Sequence, residues 1–309
     1  MTDLRQVLKD YLLIRRQLGY KLKADERLLE NFVAFLERAG AVRITTELAV
    51  MWARLPVDAR PHRWRQRLGI VRGFARYLAT IDPDSEVPSK DLLPAHRPRV
   101  APYIYSPAEI TALMRAAGAL TPPLRAASYR TVIGLMATTG LRLGETLDLD
   151  RQDADLNDGA LHVRARQTKQ REVPMHPSTT AALREYARLR DRSWPTPQTP
   201  AFFLNMRGGR LTKFEFNHWF ARLIGQVGLE GAGERVRPRP HDLRHTLAVH
   251  TLLDWYRAGE DVDRKLPLLS TFLGHVDPSS TYWYLEAVPV PELMALIKSR
   301  LERLPEVLS

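Results

Sequence analysis

Two short segments in the last third of the chain hold side chains that suit attack on a phosphate ester. His-Asp-Leu-Arg-His at 241–245 places an imidazole and a guanidinium three residues apart, and Leu-Gly-His at 273–275 adds a second imidazole. A phenol follows nine residues later, at Tyr284. Tyrosine is a poor nucleophile unless nearby positive groups activate it and hold the charge of the phosphate oxygens. These residue types together could cut a phosphodiester by side-chain chemistry alone.

A third segment, Thr-Gly-Leu-Arg-Leu-Gly-Glu at 139–145, contributes Arg142. Gly140 permits a sharp turn after the apolar run at 132–136, so the arginine is predicted to lie near the N-terminus of a following helix. Backbone amides at such a position also favour anions. The alternative is a surface arginine that is paired with Glu145 three residues further on.

His241 and Arg244 follow Arg-Pro-Arg-Pro, and their spacing of three residues predicts that they share one face of a helix. On that face they could bind one phosphate through charge-assisted hydrogen bonds. A purely structural role for the histidine is an alternative. His241 and His245 could also form a metal pair, although no cysteine or glutamate-rich zinc signature accompanies them. Tyr282 competes with Tyr284 as nucleophile, and both could be core aromatics.

The composition favours a polyanionic partner. The 309 residues carry a net charge of +11, and arginine outnumbers lysine by 38 to 8. Guanidinium groups match phosphate oxygens in pairs, although a GC-rich genome would also raise the arginine content. The sequence contains no cysteine, which excludes disulfides, thiolate metal sites and cysteine nucleophiles. No apolar run approaches the length of a membrane helix, and the charged N-terminal segment does not resemble a secretory signal, so the cytoplasm is the expected location.

The elements expected to position these residues fall into two parts. Apolar periodicity predicts four helices within residues 1–80, and the proline-rich stretch 81–104 is typical of an interdomain linker. A capping box at 106–109 then begins a second, mainly helical part. Within it, the turn-rich and alternating residues of 150–176 predict a small antiparallel sheet, with its last hairpin turn at 167–170.

The fourth helical segment, about 61–80, interleaves arginines with apolar residues. Its apolar side predicts core packing. Its arginines either face solvent or lie along DNA phosphates, where they would supply affinity that does not depend on sequence. The residues predicted to bind DNA are Arg63, Arg65, Arg67 and Arg72 of this segment, with Arg166 of the predicted hairpin.

With these motifs in place, the chain resembles the tyrosine recombinases of the phage-integrase type. Members of that family carry an arginine in a T-G-x-R-x-x-E context, a lysine in a β-hairpin, H-x-x-R, a histidine after L-G, and a tyrosine nine residues beyond that histidine. Five positions match in order over about 140 residues, namely Arg142, His241, Arg244, His275 and Tyr284. The interval of nine residues selects Tyr284 over Tyr282.

The hairpin lysine is the position at which the chain departs from the family pattern. Many relatives place it some five residues before the arginine of R-x-V-P, here Arg171, and counting back five residues reaches Arg166. Lys169 lies two residues before Arg171, and a slightly different hairpin turn would bring it into place. Because an ammonium can donate a proton to a leaving 5′-oxygen and a guanidinium essentially cannot, Lys169 is assigned this role.

The resemblance implies a mainly α-helical fold with a small antiparallel β-sheet. A helical, SAM-like core-binding domain is expected at 1–95, a linker at 96–103, and an integrase-like catalytic domain at 104–309. Double-stranded DNA is the implied partner, and no membrane partner is expected. Relatives often dock an amphipathic terminal helix, here 291–304, on a neighbouring subunit, and the alternative is that this segment packs on its own domain. A homo-oligomer is therefore expected, as a tetramer on DNA or with a second recombinase.

The implied reaction cuts and rejoins DNA through a covalent 3′-phosphotyrosyl bond to Tyr284, in integration, excision, transposition or resolution. Arg142 and Arg244 would brace the non-bridging oxygens, and His275 would add a further donor. His241 would act as base or proton carrier. Because the phosphotyrosyl link conserves bond energy, no metal or nucleotide cofactor is expected. The alternatives are a type IB topoisomerase, a non-catalytic DNA-binding factor, and a metal-dependent hydrolase built on the histidine pair.

Overall fold

The chain forms two compact units, Met1–Arg99 and Val100–Ser309, and both consist mainly of α-helices. A computed structural model describes residues 3–20, 22–94, 102–164, 170–229 and 237–274. No helix among these residues is long and apolar enough to span a membrane. The predicted fold class, mainly α with a small antiparallel sheet, is confirmed.

The first unit contains the four helices that apolar periodicity predicts. They are α1 (Leu4–Gln17), α2 (Lys23–Arg38), α3 (Thr46–Arg54) and α4 (Pro61–Leu78). Their apolar faces meet in one core around Phe32, Trp52 and Phe74, all fully buried. The rings of Phe32 and Trp52 make an edge contact with centroids 5.1 Å apart, a geometry that aromatic pairs favour.

The proline-rich stretch after α4 is not all linker, which corrects the prediction for 81–104. Leu93 is buried in the core of the first unit, and its carbonyl accepts a hydrogen bond of 3.1 Å from Arg65 Nη1. Ser85 is also buried, and its hydroxyl lies 3.4 Å from the Ile44 amide. Burial of the Leu93 side chain stabilises this segment on the helices, and the hydrogen bonds that Leu93 and Ser85 accept add to the attachment.

The second unit surrounds a central helix. Its helices are α5 (Pro107–Gly118), α6 (Pro123–Thr139), α7 (Leu143–Asp148), α8 (Pro177–Ser193), α9 (Lys213–Gln226), α10 (Asp242–Arg257) and α11 (Val262–Leu273). Val132, Ile133, Leu135 and Met136 of α6 are buried on several sides, and α5, α8 and α10 pack against this helix. A helix that is apolar around most of its circumference is expected to lie in a core.

The predicted sheet is present in the second unit. Its strands are β1 (Ala154–Asp155), β2 (Ala160–Val163) and β3 (Arg171–Pro174), in the order β1-β2-β3 with antiparallel pairing. Leu161 pairs with Val173, and both are fully buried. Because side chains alternate along a strand, this register directs apolar residues into the core of the second unit and leaves Glu172 exposed.

Candidate active site

Arg142 lies at the turn between α6 and α7, as predicted. Gly140 ends α6 with a φ of 63°, and a Cβ there would lie 2.7 Å from Leu273 of α11. A residue with a side chain would therefore be strained at this turn. The Arg142 guanidinium donates from Nη1 to Glu145 Oε1 at 3.0 Å and from Nη2 to the carbonyl of Gly274 at 3.3 Å. The predicted pairing with Glu145 is thus present, and it orients Arg142.

Arg244 joins the start of α10 to the same turn. Its side chain is buried, with the residue 1% exposed, and Nη1 donates to the Gly140 carbonyl at 2.7 Å. His241 immediately precedes α10, and its ring meets that of His245 edge to face, with centroids 4.6 Å apart. Arg142, His241 and Arg244 come from segments about a hundred residues apart in the chain. The fold gathers all three around one glycine turn.

The environment of His241 favours the neutral imidazole. Partial burial, together with the positive charges of Arg244 and Arg142, lowers the pKa of His241 from 6.5 to about 4. The residue as a whole is nevertheless exposed to solvent, so water screens part of the effect of burial and of these charges. At neutral pH His241 is able to accept a proton. A phosphate bound beside it would raise its pKa again, because an anion favours the charged imidazole.

We expect His241 in the DNA-free protein to titrate well below 6.5, near 4, in an NMR pH titration of the histidine ring protons. Because its folded pKa is lowered, protonation favours the unfolded chain, and the stability contributed by neutral His241 is lost as pH falls from about 6.5 to about 4. Arg142→Gln should raise the pKa of His241, whereas Arg257→Gln at the far end of α10 should not. A wild-type value near 6.5 would contradict the proposed electrostatic environment.

Two residues to which the sequence motifs assign no role lie beside this turn. Arg171 of β3 donates from Nη1 and Nη2 to the two carboxylate oxygens of Glu145, each at 3.1 Å. The ammonium of Lys213, at the start of α9, lies against Gly144, where a Cβ would be 2.6 Å from Nζ. Arg171 belongs to the R-x-V-P motif, which by itself indicates no contact with Glu145. Nothing local marked Lys213.

Glu145 is the acidic centre of the cluster. Burial alone would raise the pKa of its carboxyl group, but hydrogen bonds from Arg171 and from the Arg142 amide, with the charges of both arginines, lower it below its ordinary value. The Arg142 amide lies 2.9 Å from Glu145 Oε2. Glu145 is therefore ionised and shared between two guanidinium groups.

Several predicted residues lie outside the described residues. These are Lys169, Arg166, His275 and Tyr284, together with the competing Tyr282 and the terminal segment 291–304. Their chain neighbours are described in two cases. Gly274, which precedes His275, accepts a hydrogen bond from Arg142, and Arg171 follows Lys169 by two residues.

Comparison with known proteins decides the family. The model of the phage integrase family matches residues 105–289, more than half of the chain. The chain belongs to the phage integrase family. A relative named "Putative integrase/recombinase y4rB", from Sinorhizobium fredii, is 43% identical over 98% of this chain and 98% of its own length. The tyrosine recombinase XerC of Chlamydia caviae is 29% identical over 71% of this chain and 66% of its own length.

A solved structure confirms the integrase-like fold. The XerH site-specific recombinase bound to difH substrate matches with a TM-score of 0.66 at 18% identity, over 92% of this chain and 82% of that one. Membership of the family confirms the resemblance to tyrosine recombinases that the motifs indicated, and with it the predicted enzyme class, a tyrosine-type DNA strand transferase.

The described part of the recombinase offers no metal centre. Among those residues, no group of three or more histidine, cysteine, aspartate or glutamate side chains is arranged to hold a metal ion. His241 and His245 make a ring contact with each other, and Arg142 and Arg244 add positive charge nearby. Because the positive charges of these two arginines repel a cation, the surroundings of the histidine pair suit an anion better than a metal ion.

The arginines of α4 in the recombinase differ in their surroundings. Arg65 donates to the Leu93 carbonyl, and Arg67 stacks on the Trp52 ring with Cζ 3.8 Å from the ring centroid while Nη2 donates to the Trp52 carbonyl at 3.0 Å. These two side chains stabilise their own unit. Arg63 is exposed and Arg72 is half-buried. DNA binding by the four arginines stays a prediction, and Arg63 is the one whose head group is most open to a partner.

Proposed function

We propose that this protein is a site-specific recombinase that cuts and rejoins DNA with Tyr284 as the nucleophile. The observation that supports this most directly is the convergence of Arg142, His241 and Arg244 at the turn of Gly140, held by hydrogen bonds of 2.7 Å from Arg244 and 3.3 Å from Arg142 to backbone carbonyls. Guanidinium groups held in this way present fixed donors to a phosphate, so they need little reorganisation as charge develops in the transition state.

In the proposed reaction the phenolic oxygen of Tyr284 attacks the scissile phosphorus, and the bond from phosphorus to the 5′-oxygen breaks. Arg142 and Arg244 hold the non-bridging oxygens, and His275 donates a further hydrogen bond. Neutral His241 accepts the phenolic proton. Lys169 gives a proton to the leaving 5′-oxygen, which leaves as a hydroxyl. A 5′-hydroxyl of the partner strand then attacks the phosphotyrosine, reverses these proton movements and releases the enzyme.

The proposed partners follow from this reaction. Double-stranded DNA is bound by a core-binding domain at 1–95 and by a catalytic domain at 104–309, which are joined by a linker at 96–103. Arg63, Arg65, Arg67, Arg72 and Arg166 are the proposed phosphate contacts. Recombination cuts the strands of two duplexes and therefore needs several active sites. The protein accordingly acts as a tetramer on DNA or together with a second recombinase. The segment 291–304 docks on a neighbouring subunit. Its expected location is the cytoplasm.

Suicide substrates test this function. A pool of duplexes, nicked near the centre and randomised around the nick, is incubated with the protein in EDTA, and protein that stays bound to DNA in SDS is recovered and sequenced. A recombinase forms such adducts because the short cleaved fragment diffuses away and leaves the phosphotyrosine trapped. The recovered DNA should be enriched in one sequence.

The other outcomes identify the alternatives. Adducts without sequence enrichment, together with relaxation of supercoiled plasmid, would support a type IB topoisomerase. Cleavage that is absent in EDTA and appears when EDTA is replaced by Mg²⁺ or Zn²⁺ would support a metal-dependent hydrolase. Binding of DNA with no adduct from any member of the pool would contradict the proposed function and indicate a DNA-binding factor.

A further inference from the structure

We propose that Arg171 is a positioning residue that keeps Arg142 available to phosphate and holds the end of α11 against the active site. This inference rests on the proposed function and adds a residue to it. Arg171 belongs to β3 and follows Lys169 by two residues in the chain. The Arg171 side chain is 13% exposed and contacts two other segments. One is the first turn of α7, and the other is Gly274, which directly follows α11.

The first contact, between Arg171 and Glu145, decides how much of the positive charge around Arg142 is left for a phosphate. Glu145, with its side chain 9% exposed, lies 3.0 Å from Arg142 Nη1 and 3.1 Å from both Nη1 and Nη2 of Arg171. A carboxylate that had Arg142 as its single partner would neutralise the positive charge that a phosphate needs. With Arg171 present, one negative charge is shared between two guanidinium groups, and the cluster keeps a net positive charge beside the turn.

The second contact lies at the end of α11. Gly274 has a φ of 69°, and a Cβ on it would lie 2.6 Å from Nη1, 2.7 Å from Cζ and 3.0 Å from Nε of Arg171. The guanidinium plane therefore lies directly against the Gly274 backbone. Nε of Arg171 is buried without a hydrogen-bond partner among the described residues, so on this side the group is held by packing. The next residue in the chain is His275.

Arg171 thus connects three segments that each lead to a predicted catalytic residue. Glu145 ties it to Arg142, Gly274 precedes His275, and β3 itself follows Lys169. Buried ion pairs contribute little net stability, because desolvation offsets their attraction. Such pairs instead fix the positions of the groups that they join. In this pair the planar, fork-shaped guanidinium of Arg171 bonds to both carboxylate oxygens of Glu145 and also packs against Gly274. Lysine offers the charge without the fork.

The test uses the full-length protein and the sequence selected from the suicide pool. Single-turnover cleavage is measured for Arg171→Gln, Arg171→Lys and the control Arg190→Gln. Arg190 is also a buried arginine, 4% exposed, which pairs with Asp191 and donates to the carbonyl of Ala201. We expect Arg171→Gln to cleave about 100-fold more slowly, as when reacting groups are misplaced by about 1 Å. Its DNA affinity should stay within about twofold, since no direct DNA contact is assigned to Arg171. Arg171→Lys should cleave at an intermediate rate.

A second measurement separates this inference from the proposed function. Amide hydrogen exchange in the DNA-free protein should become faster in α7 and at 270–274 in Arg171→Gln, and should be unchanged there in Arg190→Gln. Wild-type rates of cleavage in Arg171→Gln, or cleavage lost only in proportion to thermal stability as in Arg190→Gln, would overturn the positioning role. Unchanged exchange in both segments would overturn it even if the wild-type protein formed no DNA adduct.

Discussion

Tyr284→Phe should form no covalent adduct with a suicide duplex, whereas Tyr282→Phe should form it at close to the wild-type rate. Phenylalanine lacks the oxygen that bonds to phosphorus, and neighbouring positive charge cannot replace a missing nucleophile. The arginines that hold the phosphate are unchanged, so Tyr284→Phe should still bind the selected DNA with wild-type affinity in a gel-shift assay. Adduct formation is followed by SDS gel electrophoresis of labelled DNA.

The pair of variants distinguishes chemistry from packing. Both tyrosines follow His275 closely, and each loses one hydroxyl group in its variant. If the adduct persists in Tyr284→Phe, another residue is the nucleophile. Loss of the adduct in Tyr282→Phe alone would assign that role to Tyr282. Loss in both variants together with a lower melting temperature would mean that the two hydroxyls support the fold.

Arg244→Gln should cause the largest loss among the arginine variants. Arg244 is buried and bonded to the Gly140 carbonyl at 2.7 Å, so it serves both the turn that positions Arg142 and the proposed phosphate site. We expect cleavage to fall by about 100- to 1,000-fold, as when one fixed donor to a developing oxyanion is removed. The free energy of unfolding should also fall, by about 1–3 kcal/mol, because a buried acceptor loses its partner.

The two effects of Arg244→Gln are measured separately, by single-turnover cleavage below the melting temperature and by urea denaturation. Arg244→Lys keeps a positive charge but cannot bind the carbonyl and a phosphate with one rigid fork, so it should recover part of the stability and little of the activity. Arg257→Gln, an exposed arginine of the same helix that pairs with Asp254, is the matched control and should behave as wild type. A loss of cleavage no greater than in that control would exclude Arg244 from the phosphate site.

The partners of Glu145 show which contacts the spacing of residues in the sequence predicts and which it does not. The three-residue spacing predicted the pairing of Arg142 with Glu145, and that pairing is present at 3.0 Å. In the sequence it was the alternative to a functional arginine, since a paired surface arginine has no free charge to offer. The structure contains both, because Arg171 arrives from β3 and shares the carboxylate. Helical spacing relates only residues within a few positions of each other, so it could not predict a strand partner 26 residues away.

The linker gives a similar contrast. The prolines correctly indicate a change of organisation after α4, because they cannot extend a helix, and the scarcity of apolar residues there means that the stretch cannot build a core of its own. They do not show that Leu93 enters the core of the first unit, since this depends on a gap left between helices that are distant in the chain.

Local patterns in the sequence by themselves determined the four helices of the first unit, the helical character of the second, the small sheet, the family, and the identity of Arg142, His241 and Arg244 as site candidates. Each of these depends on the period of apolar residues or on short fixed spacings, and both are properties of neighbouring residues. Only the tertiary structure decided that these side chains meet at the turn of Gly140, that the pKa of His241 is lowered there, and that Arg171 and Lys213 lie beside them. These facts depend on burial and on charges brought together from distant segments, and such contacts exist only once the chain has packed.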